Sequence, residues 1–208
     1  MILDWQGQND KRKTYIGHLK YWSYKLQEIE IEIDENDRIS DLIWHKLYTI
    51  NVDSFMTHTL PIQSQINVYT DGSKTKDHVG AGFSIMRGNE IILEGKRRLP
   101  DEATVFQAEL MAIRMAMFDL AGSLGNNDAY VKLFSDSRSA IQALNSNTVS
   151  SQLVKDTISA INLVGRKVDR LEISWIKAHV GHMGNERADQ LAWEAVELTP
   201  TVLSLIHI

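Results

Sequence analysis

Cysteine is absent from all 208 residues. That removes disulfide scaffolds, zinc fingers and thiol catalysis together, agrees with a reducing compartment, and leaves oxygen and imidazole as ligands for any metal. Proline is scarce, at three residues, so the chain is no proline-rich linker. No apolar stretch approaches the roughly 18 residues of a membrane span. Met1 to Gln8 (MILDWQGQ) is too short and too polar for a signal peptide. The expectation is a soluble intracellular protein with no membrane partner, its place in nucleus or cytoplasm left open. Positive charge is short as well. The 22 Lys and Arg against 27 Asp and Glu give a net charge of −5 and a pI of about 5.8, which excludes a module that holds nucleic acid by charge alone. What is present is 43% hydrophobic and 24% charged residues, an ordinary globular composition, in a length that suits one domain of about 150 residues plus a further segment.

The first 60 residues read as helical. Tyr15, Leu19, Trp22, Leu26, Ile29 and Ile33 recur at spacings of four and three, the stripe of a core-facing or partner-facing helix, although Ile29-Glu-Ile-Glu-Ile33 also alternates like a strand. Asp34-Glu-Asn-Asp37 reads as a turn, and Ser40 is placed to cap a second helix carrying Leu42, Ile43 and Leu47. Residues 61–65 read as a linker. From Ile66 the texture changes. Ile66 to Thr70 alternates and runs into Asp71-Gly72-Ser73, and Gly80 to Met86 and Glu90 to Lys96 complete a meander of three strands. Thr104 to Leu120 has helical periodicity, Ala129 to Phe134 is a strand, and Ser137 to Leu144 and Leu153 to Val164 are helices. Leu171 to Ile176 is a strand and Glu186 to Leu198 a last helix. The order βββαβααβα predicts an α/β fold with a mixed five-stranded sheet and helices on its faces. Residues 199–208 form a tail. Leu203 to Ile208 can be encoded by CTG TCT CTT ATA CAC ATC, which resembles the mosaic-end adapter of transposase-based sequencing libraries, so 203–208 is expected to be an artefact on a truncated reading frame.

Four carboxylates stand out by position. Glu109 shares a helix face with Val105, Ala112 and Ile113, so its charge is at least partly buried and needs a cation, a donor or a raised pKa. Asp71 and Asp136 sit where strands end, and Asp189 lies in the first turns of the last helix. Singly, each has a bland explanation: a turn aspartate, a helix cap, an acid at a helix N-terminus, a glutamate satisfied by an arginine or an amide. As a set, strand ends and covering helices bring them to one edge of such a sheet. Crowded carboxylates without cysteine suit Mg²⁺ or Mn²⁺. Two such ions about 3.5–4 Å apart activate water and stabilise the leaving oxygen of a phosphodiester.

Tyr69-Thr-Asp-Gly-Ser73, Ala108-Glu-Leu-Met-Ala112, Phe134-Ser-Asp-Ser137 and the stretch from Trp175 to Asp189 (WIKAHVGHMGNERAD) resemble, in order, the four motifs of type 1 ribonuclease H. The resemblance spans Ile66 to Leu198 and is most like the domain beside the reverse transcriptase of non-LTR (LINE-like) retrotransposons. It implies a metal-dependent endonuclease that hydrolyses the RNA strand of RNA–DNA hybrids, in a retrotransposon polyprotein. The segment 1–60 is then a linker or remnant of an upstream reverse transcriptase domain, a partner in the full-length protein. The family's metal tetrad falls on Asp71, Glu109, Asp136 and Asp189, holding two Mg²⁺ ions, with Mn²⁺ as a substitute. His179, in a loop loosened by Gly181 and Gly184, matches the histidine that moves a proton or helps product leave. Thr104 matches a contact to a DNA-strand phosphate, Ser137 and Asn185 match positions near substrate, and backbone groups at Gly72 and Ser73 are candidates for sensing the 2′-hydroxyl.

Residues 66–198 carry 15 basic and 17 acidic residues and no evident basic insertion. The expectation is weak activity for the isolated chain, with affinity supplied by a neighbouring domain. A pairing of His179 with His182 as metal ligands lacks a third ligand nearby. Two other classes stay open: a degenerate copy that binds nucleic acid without cutting it, and a DNA strand-transferring enzyme of the wider superfamily. The first predicts loss of a tetrad residue, and none is lost.

Overall fold

The computed structural model describes residues 45–51, 66–125, 130–149, 151–178 and 181–199, which lie in the unit Asp41–Ile208. Six strands are found among them: β1 (Thr49–Asn51), β2 (Ile66–Lys74), β3 (Val79–Arg87), β4 (Glu90–Leu99), β5 (Tyr130–Ser135) and β6 (Arg170–Trp175). Four helices accompany them: α1 (Val105–Ser123), α2 (Arg138–Asn145), α3 (Gln152–Gly165) and α4 (Met183–Val196). The sheet order is β1-β6-β5-β2-β3-β4. The meander β2-β3-β4 is antiparallel, turning at Gly88 (φ 60°) between β3 and β4, whereas β1, β6, β5 and β2 pair in parallel. The mixed sheet expected from the element order is present.

Alternation along β2 separates the layers. Asp71 pairs with Gly82 across the β2–β3 ladder, so the two share a face. A Cβ on Gly82 would sit 2.3 Å from Ala192 N and 2.5 Å from Ala188 O, which puts α4 on that face. The next residue, Gly72, has no room for a Cβ because of the α1 backbone, so α1 covers the opposite face. Val68, Phe83, Ile85, Val131, Leu133 and Ile173 point into the α1 side and meet Leu110, Ile113, Met117, Ile158 and Ile161 in the main core. The α4 side holds a smaller cluster of Tyr69, Met86, Ile176 and Ala188. Helix α1 starts at a capping box: Thr104 Oγ1 accepts from Gln107 N–H (3.1 Å) and Gln107 Oε1 accepts from Thr104 N–H (2.8 Å).

Three expectations are corrected. The sheet has six strands, not five, because residues 49–51, read from sequence as part of a helical segment 1–60, form β1 against β6. Leu47 is not helical. Its N–H donates to Asn162 Oδ1 (2.8 Å), and the neighbouring Tyr48 is buried with its hydroxyl donating to Leu144 O (2.9 Å). Gly184, expected in a loop, is the second residue of α4 and packs on the Tyr69 ring. The helical stripe at Tyr15–Ile33, Leu42, Ile43, the linker 61–65 and the tail 203–208 lie outside the described residues. Among those residues, no helix is long and apolar enough to cross a membrane.

Candidate metal centre

Strands β2 and β5 run parallel with Thr70 level with Ser135, so Asp71 and Asp136 follow at the same edge of the sheet. Glu109 arrives from α1. A Cβ at Gly72 would lie 2.6 Å from Glu109 N and 2.9 Å from Ala108 C, so the strand accepts the helix backbone directly against it. One carboxylate oxygen from each of Asp71, Glu109 and Asp136 lies within 4.8 Å of the other two. Asp71 and Glu109 are buried and Asp136 is half-buried.

The electrostatics of this trio are unfavourable as it stands. Burial first, then the charges of Asp71 and Asp136, push the Glu109 carboxyl up to about 9, and a hydrogen bond from the Gly72 backbone N–H only partly opposes them. Glu109 Oε2 is buried and has no hydrogen-bond partner. A buried carboxylate oxygen left unpaired beside two more carboxylates costs free energy that a hard divalent cation recovers. The donor set is all oxygen, as Mg²⁺ and Mn²⁺ prefer. The residues present therefore fit the ion that the motifs imply.

Asp189 is not in the trio. It is half-buried on α4, beside Ala188, whose carbonyl packs on Gly82 next to Asp71. Thr104 is the exposed N-cap of α1. Ser137 caps α2, its Oγ accepting from Ala140 N–H (3.3 Å). Ser73 is half-buried on β2. Asn185 is buried in the first turn of α4, and its Oδ1 has no partner. His179 lies outside the described residues. Beyond its backbone N–H, Gly72 supplies the space that lets α1 bring Glu109 to Asp71. Trp175 entered the sequence reading as the first residue of the fourth motif, with no role given to it, yet its indole N–H donates to Asp136 O (2.9 Å). An amphipathic ring at the end of a strand was the available signal.

Gly72→Ala tests this packing. The added methyl must move α1 off β2, and the expected result is a loss of about 1–3 kcal/mol in stability, with Mn²⁺ binding weakened about tenfold or more. Chemical denaturation and titration calorimetry measure the two. Unchanged metal affinity in the folded variant would refute the spacing argument.

Residues 63–197 match the family model described as RNase H. A Ribonuclease H of Pseudomonas putida (strain W619) is 29% identical over 151 residues, 65% of this chain and 96% of that one. A Ribonuclease H of Stutzerimonas stutzeri (strain A1501) is 33% identical over 144 residues, 61% of this chain and 88% of that one. Among solved structures, LC11-RNase H1 in complex with RNA/DNA hybrid aligns with a TM-score of 0.52 at 24% identity, over 64% of this chain and 96% of that one, a likeness of fold.

Proposed function

Since the chain belongs to the RNase H family, we propose that residues 66–198 hydrolyse the RNA strand of RNA–DNA hybrids with the help of divalent metal. The observation that carries this reading is the trio Asp71, Glu109 and Asp136, with the Glu109 Oε2 unpaired and buried inside the segment that matches the family. Bound as a pair at these carboxylates, Mg²⁺ ions, or Mn²⁺ in their place, supply an activated water and stabilise the departing 3′ oxygen. Asp71, Glu109 and Asp136, with Asp189 from α4, would be the carboxylates that hold the pair. Glu109 would hold the metal as a carboxylate, with the Gly72 N–H as its hydrogen-bond donor. Thr104 presents the N-terminus of α1 to a phosphate of the DNA strand, where unpaired helix N–H groups favour an anion. Backbone groups of Gly72 and Ser73 face the 2′-hydroxyl that separates RNA from DNA. Ser137 and Asn185 flank the substrate, and His179 moves a proton or assists product release.

We place the domain in a retrotransposon polyprotein beside an upstream reverse transcriptase. The support is the likeness of the four motifs, together with a near balance of 15 basic and 17 acidic residues over 66–198. A domain so poor in net positive charge gains affinity for a polyanionic duplex from a tethered neighbour.

The experiment is cleavage of a labelled RNA–DNA hybrid by the full chain in Mg²⁺, beside single-stranded RNA, duplex RNA and duplex DNA. Cutting confined to the RNA strand of the hybrid is expected. Cutting of duplex DNA, or of all RNA alike, would overturn the reading.

A further inference from the structure

Trp175 closes β6 level with Ser135, the last residue of β5. Beyond that point the β5–β6 ladder has one more bond, Ile176 N–H to Ser135 O at 3.1 Å. Asp136 follows, past the end of β5. The Trp175 indole N–H donates to the Asp136 carbonyl at 2.9 Å. In the same peptide unit, Ser137 N–H donates to Ser135 Oγ (3.1 Å), and Ser137 Oγ caps α2, while the preceding unit is held through the bond that Ser135 O accepts from Ile176 N–H. The peptide units on both sides of the Asp136 Cα are thus tied, which leaves its carboxylate little backbone freedom. The ring making the bond is itself pinned, with the Arg138 guanidinium 4.8 Å above the indole centroid.

We propose that Trp175 is a positioning residue for the metal centre: its indole N–H fixes the main chain of Asp136 so that the carboxylate is aimed at Asp71 and Glu109. This rests on the reading of those three acids as the metal site. A strand end is where a ligand is most easily lost to local motion, because the ladder that orders the strand has stopped. A donor from the neighbouring strand extends that order by one residue. Groups that orient a ligand typically change metal affinity by about 10–100-fold when removed.

The test is Trp175→Phe, which keeps an aromatic ring against the core and for Arg138 to lie on, and deletes the donor. Mg²⁺ and Mn²⁺ affinities are measured by titration calorimetry on the full chain, with melting temperature in EDTA recorded alongside. The expected result is metal binding weakened about tenfold or more, the metal-free melting temperature within about 3 °C of the parent, and cleavage recovering at high Mg²⁺. Equal affinity in parent and variant would overturn the proposal. A parent that binds neither metal would instead overturn the reading of the site. If Trp175→Phe fails to fold, amide and indole hydrogen exchange on the parent decides: a slowly exchanging Trp175 indole proton supports the bond and a freely exchanging one refutes it.

Discussion

Replacing Glu109 with glutamine abolishes cleavage and, without metal, makes the protein more stable than its parent at pH 8 but not at pH 4. The opposite signs follow from one cause. The Glu109 carboxyl is raised from 4.5 to about 9 by burial and by the charges of Asp71 and Asp136. Between those values the unfolded chain has lost this proton and the folded chain keeps it. The group's contribution to stability is therefore complete below the unfolded pKa and lost as pH rises through the folded one. Glutamine has the shape of the protonated acid and does not ionise. At pH 4 parent and variant melt together, and at pH 8 in EDTA the parent melts several degrees lower, at about 2–4 °C for each kcal/mol in a chain of this size. Mg²⁺ reverses the order at pH 8 by stabilising the parent alone, with release of a proton. Loss of a direct ligand costs more than the roughly 100-fold upper range seen for supporting groups. Thermal melts at the two pH values, with and without Mg²⁺, check the account. A parent–variant difference that does not change with pH would contradict it.

Removing β1 produces the second large effect. The segment His45–Asn51 lies before the family match at residue 63, yet it is built into the same fold. Tyr48 is buried against the main core and donates to Leu144 O. Asn162 clasps the segment twice, accepting from Leu47 N–H and donating to His45 O, each at 2.8 Å. Lys46 Nζ donates to Ser146 O (2.8 Å), and Gly165 lies so close to Leu47 that a Cβ there would meet its carbonyl at 2.6 Å. Truncating a buried aromatic to alanine costs about 3–5 kcal/mol, so Tyr48→Ala is expected to lower the melting temperature by on the order of 10 °C. A chain starting at Gln65 falls further, because it also exposes the edge of β6. Thermal unfolding of both measures this. A chain from Gln65 melting within about 2 °C of the full one would show that β1 is dispensable.

Most of the fold was legible because β2 alternates, Arg87-Gly88-Asn89 marks the turn of the meander, and the helices repeat at helical spacing. The misses have particular reasons. β1 is three residues long, and its partner β6 is about 120 residues downstream, so no local pattern marks it. β4 runs on through Lys96-Arg-Arg98 because Arg98, buried, donates to the Val79 and Leu99 carbonyls and pairs with Asp101, partners supplied by the fold. On the α4 face, Lys132 and Glu172 alternate with apolar residues as solvent-facing groups would, yet both are buried as a pair at 2.9 Å. Burial there works to raise the Glu172 carboxyl, but bonds from Lys132, Asn51 and Ser174 bring it down to about 2. Of the four acids read from the motifs, Asp71, Glu109 and Asp136 come together. Their approach depends on the missing side chain of Gly72, and the hold on Asp136 depends on an indole from another strand.

The most direct measurement is single-turnover cleavage of a labelled RNA–DNA hybrid against Mg²⁺ concentration, for the parent and for Asp136→Asn. The account predicts saturable, metal-dependent cleavage of the RNA strand by the parent. For the folded variant it predicts a loss beyond roughly 100-fold. Full activity in Asp136→Asn, or cleavage that persists in EDTA, would contradict the assignment of these carboxylates as the metal site.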